Sequence, residues 1–238
     1  MNKKSIHIAI IPDGNRRWAK KKGLKPWEGH IAGADRIEEI SREALKNGIK
    51  HLTFWGSSKN NITKRPLDEK RELLKIYEKY FKKLINDPDV YENETGINII
   101  GDWKKQFPFG LRKILSEGME KTKNHTHNFL NFMLAYNGDE DVLYAVKKIK
   151  ERILKEKKDI KITAEFFKDQ LLSSKLPPVD LIIRTGTEND PHNSAGFLMW
   201  QTQNSQYHFS DKLFPDFKPK EFSKIVKEFK ERKRRLGK

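Results

Sequence analysis

His7-Ile8-Ala9-Ile10-Ile11-Pro12-Asp13-Gly14-Asn15-Arg16-Arg17-Trp18 passes abruptly from an apolar run into a carboxylate, a glycine, an amide and two arginines. The run is continuous rather than alternating, as in a strand covered on both faces. Similar apolar runs recur at 51–56, 96–101, 128–135 and 180–186, with a sixth expected around 205–209. Amphipathic helical patterns separate them at 32–47, 67–86, 106–123, 139–156 and 163–173, and a last one covers 219–235. Strands alternating with helices predict an α/β fold: a single domain with a mostly parallel six-stranded sheet surrounded by helices.

The chain has 238 residues, a length that one core can serve, and neither an internal repeat nor a Pro/Gly/Ser-rich linker marks a second domain. The formal charge of +16 favours anionic partners such as diphosphates, nucleic acid or an acidic membrane surface. Cys is absent, which excludes disulfides, thiolate metal sites and Cys nucleophiles. No signal peptide or long apolar run is found, so the expected location is cytoplasmic, with peripheral membrane-surface contact left open. No DNA- or RNA-binding motif accompanies the basic charge, and a nucleic-acid partner is not expected.

Ligands of open α/β sheets sit beyond the carboxyl ends of the strands. Asp13 falls at such an end, where a metal or a leaving group is handled. Gly14 permits close approach of backbone to an oxyanion, Asn15 offers a donor and an acceptor, and Arg16 and Arg17 can grip phosphate oxygens. A carboxylate beside arginines suits Mg²⁺-diphosphate. A second polar loop, Gly56-Ser57-Ser58-Lys59-Asn60-Asn61-Ile62-Thr63-Lys64-Arg65, follows the second strand. A third begins at Arg184-Thr185-Gly186-Thr187-Glu188. Neither GxxxxGK[ST] nor GxGxxG is present, HExxH spacing is absent, and so is the DDxxD of all-helical prenyltransferases. Leu73, Leu74, Ile76, Tyr77, Tyr80, Phe81 and Leu84 form one helix face that is either core or the lining of an apolar tunnel.

Together these loops resemble the cis-prenyltransferase (undecaprenyl diphosphate synthase) family over nearly the full length. The likeness is carried by His7 to Ala19, Gly29-His30, Gly33, the S-x-x-N of Ser58 to Asn61 with Arg65-Pro66, Val179 to Gly186, Phe197-Leu198-Met199-Trp200-Gln201, and Arg235-Leu236-Gly237. The resemblance implies condensation of isopentenyl diphosphate with an allylic prenyl diphosphate to a cis-polyprenyl diphosphate, such as the bacterial lipid carrier undecaprenyl diphosphate. It also implies Mg²⁺, an apolar tunnel and a homodimer. Asp13 would be the Mg²⁺-linked catalytic carboxylate and Asn61 the amide near proton removal. Gly14, Asn15, Arg16 and Arg17 would cradle the allylic diphosphate beside Trp18 and His30, with Ser58, Lys59, Asn60, Ile62 and Arg65 in the second substrate loop. Arg184 with His192 and Ser194 would bind isopentenyl diphosphate, and Arg235 and Gly237 would complete a site across the dimer.

The chain departs from the family pattern at several positions. Gln206 stands where a metal-associated glutamate is usual, His192 where an Arg is expected, Ile62 where Trp is common, and Pro26 in place of an Arg. These changes leave room for unusual product length, irregular coupling or reduced activity; a non-catalytic partner subunit is a further alternative, against which the retained Asp13, Asn15 and Arg17 argue.

Overall fold

Five consecutive buried residues, His7–Ile11, form β1, the strand on which the sheet is organised. The computed structural model describes residues 5–157 and 159–232. Its other strands are β2 (His51–Trp55), β3 (Thr95–Ile100), β4 (Asn128–Met133), β5 (Leu181–Thr185) and β6 (Gln206–Ser210). All pair in parallel in the order β3-β4-β2-β1-β5-β6, which confirms the expected α/β sheet. The order reverses between β1 and β5, whose register sets Ile11 opposite Arg184.

Ten α-helices are found among the described residues: α1 (Asn15–Lys21), α2 (Pro26–Lys46), α3 (Lys59–Thr63), α4 (Leu67–Leu84), α5 (Pro88–Glu92), α6 (Trp103–Gln106), α7 (Phe109–Lys121), α8 (Gly138–Glu156), α9 (Ala164–Gln170) and α10 (Pro219–Glu231). Four short ones were not expected. The run after β1 is α1 rather than a loop, since Arg, Trp, Ala and Lys sustain a helix once Gly14, at φ 105, has turned the chain. α2 starts at Pro26 instead of 32, because Pro suits a first helical turn and Glu28 returns to cap the Lys25 amide. Of the helix expected over 219–235, residues 233–235 lie outside the described residues.

One face of the sheet packs Ile8, Ile10, Phe54 and Ile183 against α2, α4, α7 and α10, through residues such as Ile40, Phe81, Leu115 and Phe222. Each such side chain contributes roughly 1.5–3 kcal/mol on burial. The other face packs Ala9, Ile11, Met133 and Ile182 against Leu176, Val179, Phe197 and Leu198. No helix among the described residues is long and apolar enough to cross a membrane.

On that second face a polar ladder crosses four strands. Asn98 Nδ2 donates to Asn131 Oδ1 at 2.9 Å, and Asn131 Nδ2 to Thr53 Oγ1 at 3.0 Å. The Thr53 hydroxyl proton is then free to meet His7 Nε2, 2.8 Å away, while His7 Nδ1–H donates to the Pro177 carbonyl at 3.0 Å. Burial pushes the His7 imidazole down to about 4, against two carbonyls and Asp180 that pull it up. His51 is also lowered to about 4, chiefly by burial.

Folding therefore holds these imidazoles neutral at pH values where the unfolded chain protonates them. The unfolded state binds more protons between about pH 4 and 6.5, so stability rises with pH across that window and is lost as pH falls. The urea midpoint is expected to be lower near pH 5 than near pH 7. Equal midpoints would contradict the neutral assignment.

Candidate active site

The reversal of strand order puts the end of β1 beside the end of β5, and there Asp13 meets Arg184. Arg184 Nη2 donates to Asp13 Oδ2 at 2.9 Å, and Arg17 Nη2 lies 3.3 Å from Asp13 Oδ1. Arg184 is only 6% exposed. It also donates to Ser194 Oγ at 2.5 Å and to the His192 carbonyl at 2.7 Å, so the third loop is folded back onto its guanidinium. The Thr185 hydroxyl donates to the Asp13 carbonyl at 2.9 Å, tying the two strand ends together.

Asn15 is held by helix packing. An added Cβ at Gly29 would stand 2.0 Å from the Asn15 carbonyl oxygen, and one at Gly33 would stand 2.5 Å from Asn15 Oδ1. These two glycines, one turn apart on α2, let α1 approach closely and seat the amide. Its Oδ1 is buried and accepts no hydrogen bond among the described residues. Such an atom is costly unless a ligand or water supplies the donor.

Opposite lies a charged cluster built around Glu69, a buried residue of α4. Its Oε1 is 3.1 Å from Arg65 Nη1 and 3.3 Å from Arg16 Nε. Arg65 Nη1 also donates to His30 Nε2 at 2.8 Å, so that nitrogen is an acceptor. Burial, then the Arg65 charge, lowers His30 to about 4, and the ring stays neutral near pH 7. The Ser58…Asn61 pair forms a reciprocal cap on α3: Asn61 N–H donates to Ser58 Oγ at 3.0 Å and Ser58 N–H to Asn61 Oδ1 at 3.2 Å. Asn61 Nδ2 has no protein acceptor among the described residues.

A cavity of about 530 Å³ joins most of these groups, with Arg184 and Glu69 standing behind the residues that line it. Asp13, Gly14, Asn15, Arg16, Arg17, His30, Ser58, Asn61, Arg65 and Ser194 line it. It continues between α2, α4 and the sheet, past Ile37, Tyr77, Phe81 and Leu84, to Leu45, Thr95, Leu130 and Phe132. Thr95 begins β3 whereas Asp13 follows the end of β1, so the cavity runs the length of the strands, roughly 17–20 Å. The expected tunnel is present, and the helix face of Ile76, Tyr77, Tyr80, Phe81 and Leu84 serves it as well as the core. Its far end carries Arg42 paired with Asp87 at 2.7 Å and with Asp89.

Some expected residues lie elsewhere. The Trp18 indole donates to Asp216 at 2.9 Å, under the Lys22 ammonium, away from the cavity lining. Ile62 is fully buried in the core, which accounts for an aliphatic residue there. Lys59 pairs with Glu140 at 3.0 Å, and Asn60 is exposed. His192, by contrast, stays beside Arg184: it contributes its carbonyl, and its ring lies between Asp190, 3.2 Å from Nδ1, and Ser194 Oγ, 3.3 Å from Nε2. Gln206 does not join Asp13 within one chain. It opens β6, opposite Leu181 and so at the other end of the strands, where Arg232 donates to its Oε1 at 3.0 Å. Arg235 and Gly237 lie outside the described residues. The sequence reading does not single out Glu69 or Glu188, although Glu69 stands four residues after Arg65, a spacing that pairs charges on a helix.

Comparison with known proteins agrees with this geometry. Tritrans,polycis-undecaprenyl-diphosphate synthase (geranylgeranyl-diphosphate specific) of Pyrococcus horikoshii is 37% identical over 97% of this chain and 86% of its own. An isoprenyl transferase of Clostridium perfringens is 37% identical over 97% of this chain and 89% of its own. Among solved structures, lavandulyl diphosphate synthase from Lavandula x intermedia, in complex with dimethylallyl diphosphate, superposes with a TM-score of 0.89 at 29% identity over 98% of both chains. The family described as "Putative undecaprenyl diphosphate synthase" matches residues 11–237, and this chain belongs to that cis-prenyltransferase family.

Proposed function

We propose that the protein condenses isopentenyl diphosphate with an allylic prenyl diphosphate, extending a cis-polyprenyl chain that occupies the apolar cavity. The observation that carries this reading is the joining of a cationic mouth to an apolar bore in one cavity. Arg16, Arg17 and Arg65, with Asn15 and neutral His30, suit the allylic diphosphate. Arg184 and Ser194, on the far side of Asp13, suit the diphosphate of the second substrate. Two cradles separated by one carboxylate are what a transfer between two diphosphates requires.

Asp13 fits a role with Mg²⁺. The described residues hold no cluster of three His, Asp or Glu side chains, but Mg²⁺ commonly binds through one or two carboxylates with substrate phosphates and water. Asp13, 38% exposed at the mouth, would hold the ion together with the substrate phosphates. When bound, Mg²⁺ supplies charge neutralisation at the leaving diphosphate. The arginines add donors that strengthen as charge develops there. Proton removal after coupling falls to the polar mouth near Asn61. A homodimer is also proposed, supported by edge strand β6, which exposes Tyr207 and Phe209 as a stacked pair 5.7 Å apart. Sedimentation as a monomer at assay concentrations would contradict it.

The test is incubation with Mg²⁺, labelled isopentenyl diphosphate and allylic primers from dimethylallyl to geranylgeranyl diphosphate, followed by sizing of products. Repeated cis addition to a longer primer is expected. A single irregular coupling to dimethylallyl diphosphate would instead favour the lavandulyl-type reading that the structural neighbour raises. No product with any primer would overturn both. Asp13→Ala is expected to lower turnover by roughly 10²-fold or more with an unchanged circular dichroism spectrum. Turnover near that of the native protein would remove Asp13 from the mechanism.

A further inference from the structure

The two cations of α1 that face the third loop are already engaged by the protein's own oxygens. Arg17 Nη1 donates to Glu188 Oε2 at 2.9 Å, and Lys21 Nζ donates to Glu188 Oε1 at 3.2 Å. One carboxylate thus spans two cations a helical turn apart. Arg17 Nη2 is spent on the Gly186 carbonyl at 2.5 Å and on Asp13. Glu188 and Asn189 hold left-handed backbone at φ 43 and 69, an arrangement uncommon for residues other than glycine, in the turn that brings Glu188 onto α1. Loop 186–196 also carries Ser194, so the carboxylate is linked through the chain to the Arg184 cradle.

All three side chains are well exposed, at 38% for Arg17, 42% for Glu188 and 66% for Lys21. Exposed pairs of this kind are weak. A diphosphate brings several negative charges and short charge-assisted hydrogen bonds to the same donors, and it wins that competition. Resting on the diphosphate reading above, we propose that Glu188 is a displaceable stand-in for the allylic diphosphate. It keeps Arg17 and Lys21 together before substrate arrives and is replaced by it, so Glu188 sets the affinity of the cradle and Lys21 is one of its ligands.

The test titrates the full-length chain with inorganic diphosphate by calorimetry, in the native form, Glu188→Gln and Lys21→Met. Loss of the competing charge is expected to tighten binding about two- to fivefold in Glu188→Gln, and to lower the KM for the allylic substrate by a similar factor with a smaller change in kcat. Lys21→Met is expected to weaken diphosphate binding. Unchanged or weaker binding by Glu188→Gln would overturn the stand-in role, and unchanged binding by Lys21→Met would remove Lys21 from the cradle. If no form binds diphosphate or prenyl diphosphate, the diphosphate reading itself fails and this inference with it.

Discussion

Asp13 lies between Arg184 and Arg17 at the point where the strand order reverses, and the rest of the site is arranged around that contact. The pairing of β1 with β5 sets the geometry: with Ile11 opposite Arg184, two residues of chain past β1 bring a carboxylate onto a nearly buried guanidinium. Removing either partner alone would strand a charge in a half-buried pocket, a cost larger than that of breaking a surface pair. The same guanidinium organises Ser194 and the third loop, so one arginine links a strand end, a catalytic candidate and a substrate loop.

From this polar end the molecule changes character. The space between α2, α4 and the sheet is lined by Leu, Ile, Phe and Tyr side chains that elsewhere on the same helices complete the core. Interiors ordinarily close to near-crystalline density, so a cavity of about 530 Å³, charged mouth and apolar bore together, left open beside a packed sheet is a feature that function must explain. Water gains little there and an isoprenoid chain gains its transfer free energy. The charged mouth and the apolar bore solve separate problems for one amphipathic substrate.

Much of this was legible in the sequence because parallel strands announce themselves as continuous apolar runs, and Asp13 and Arg184 directly follow or end such runs. The short helices were not, for local reasons. Asn15 to Lys21 reads as a polar strand-end run; its composition sustains a helix once Gly14 has turned the chain, but its close seating shows only in the contact with Gly29 and Gly33. Ser58 and Asn61 read as substrate ligands, yet their first duty is to cap α3. Ile62 belongs to the core, and Trp18 turns toward Asp216. Glu69 and Glu188 were invisible as site residues because a carboxylate on a charged helix or in a turn is ordinary until three-dimensional contacts show which cations it meets. Gln206 illustrates the reverse. The family resemblance put it at a metal-associated position, but strand direction carries it away from Asp13 in the same chain.

The most direct measurement is a crystal structure of the protein with Mg²⁺, isopentenyl diphosphate and an unreactive allylic thiodiphosphate. The expected result is one diphosphate on Arg184 and Ser194, the other on Asn15, Arg16 and Arg17, and the prenyl chain running between α2 and α4 toward Leu130 and Phe132. A prenyl chain bound outside that cavity, or both diphosphates remote from Asp13, would contradict it.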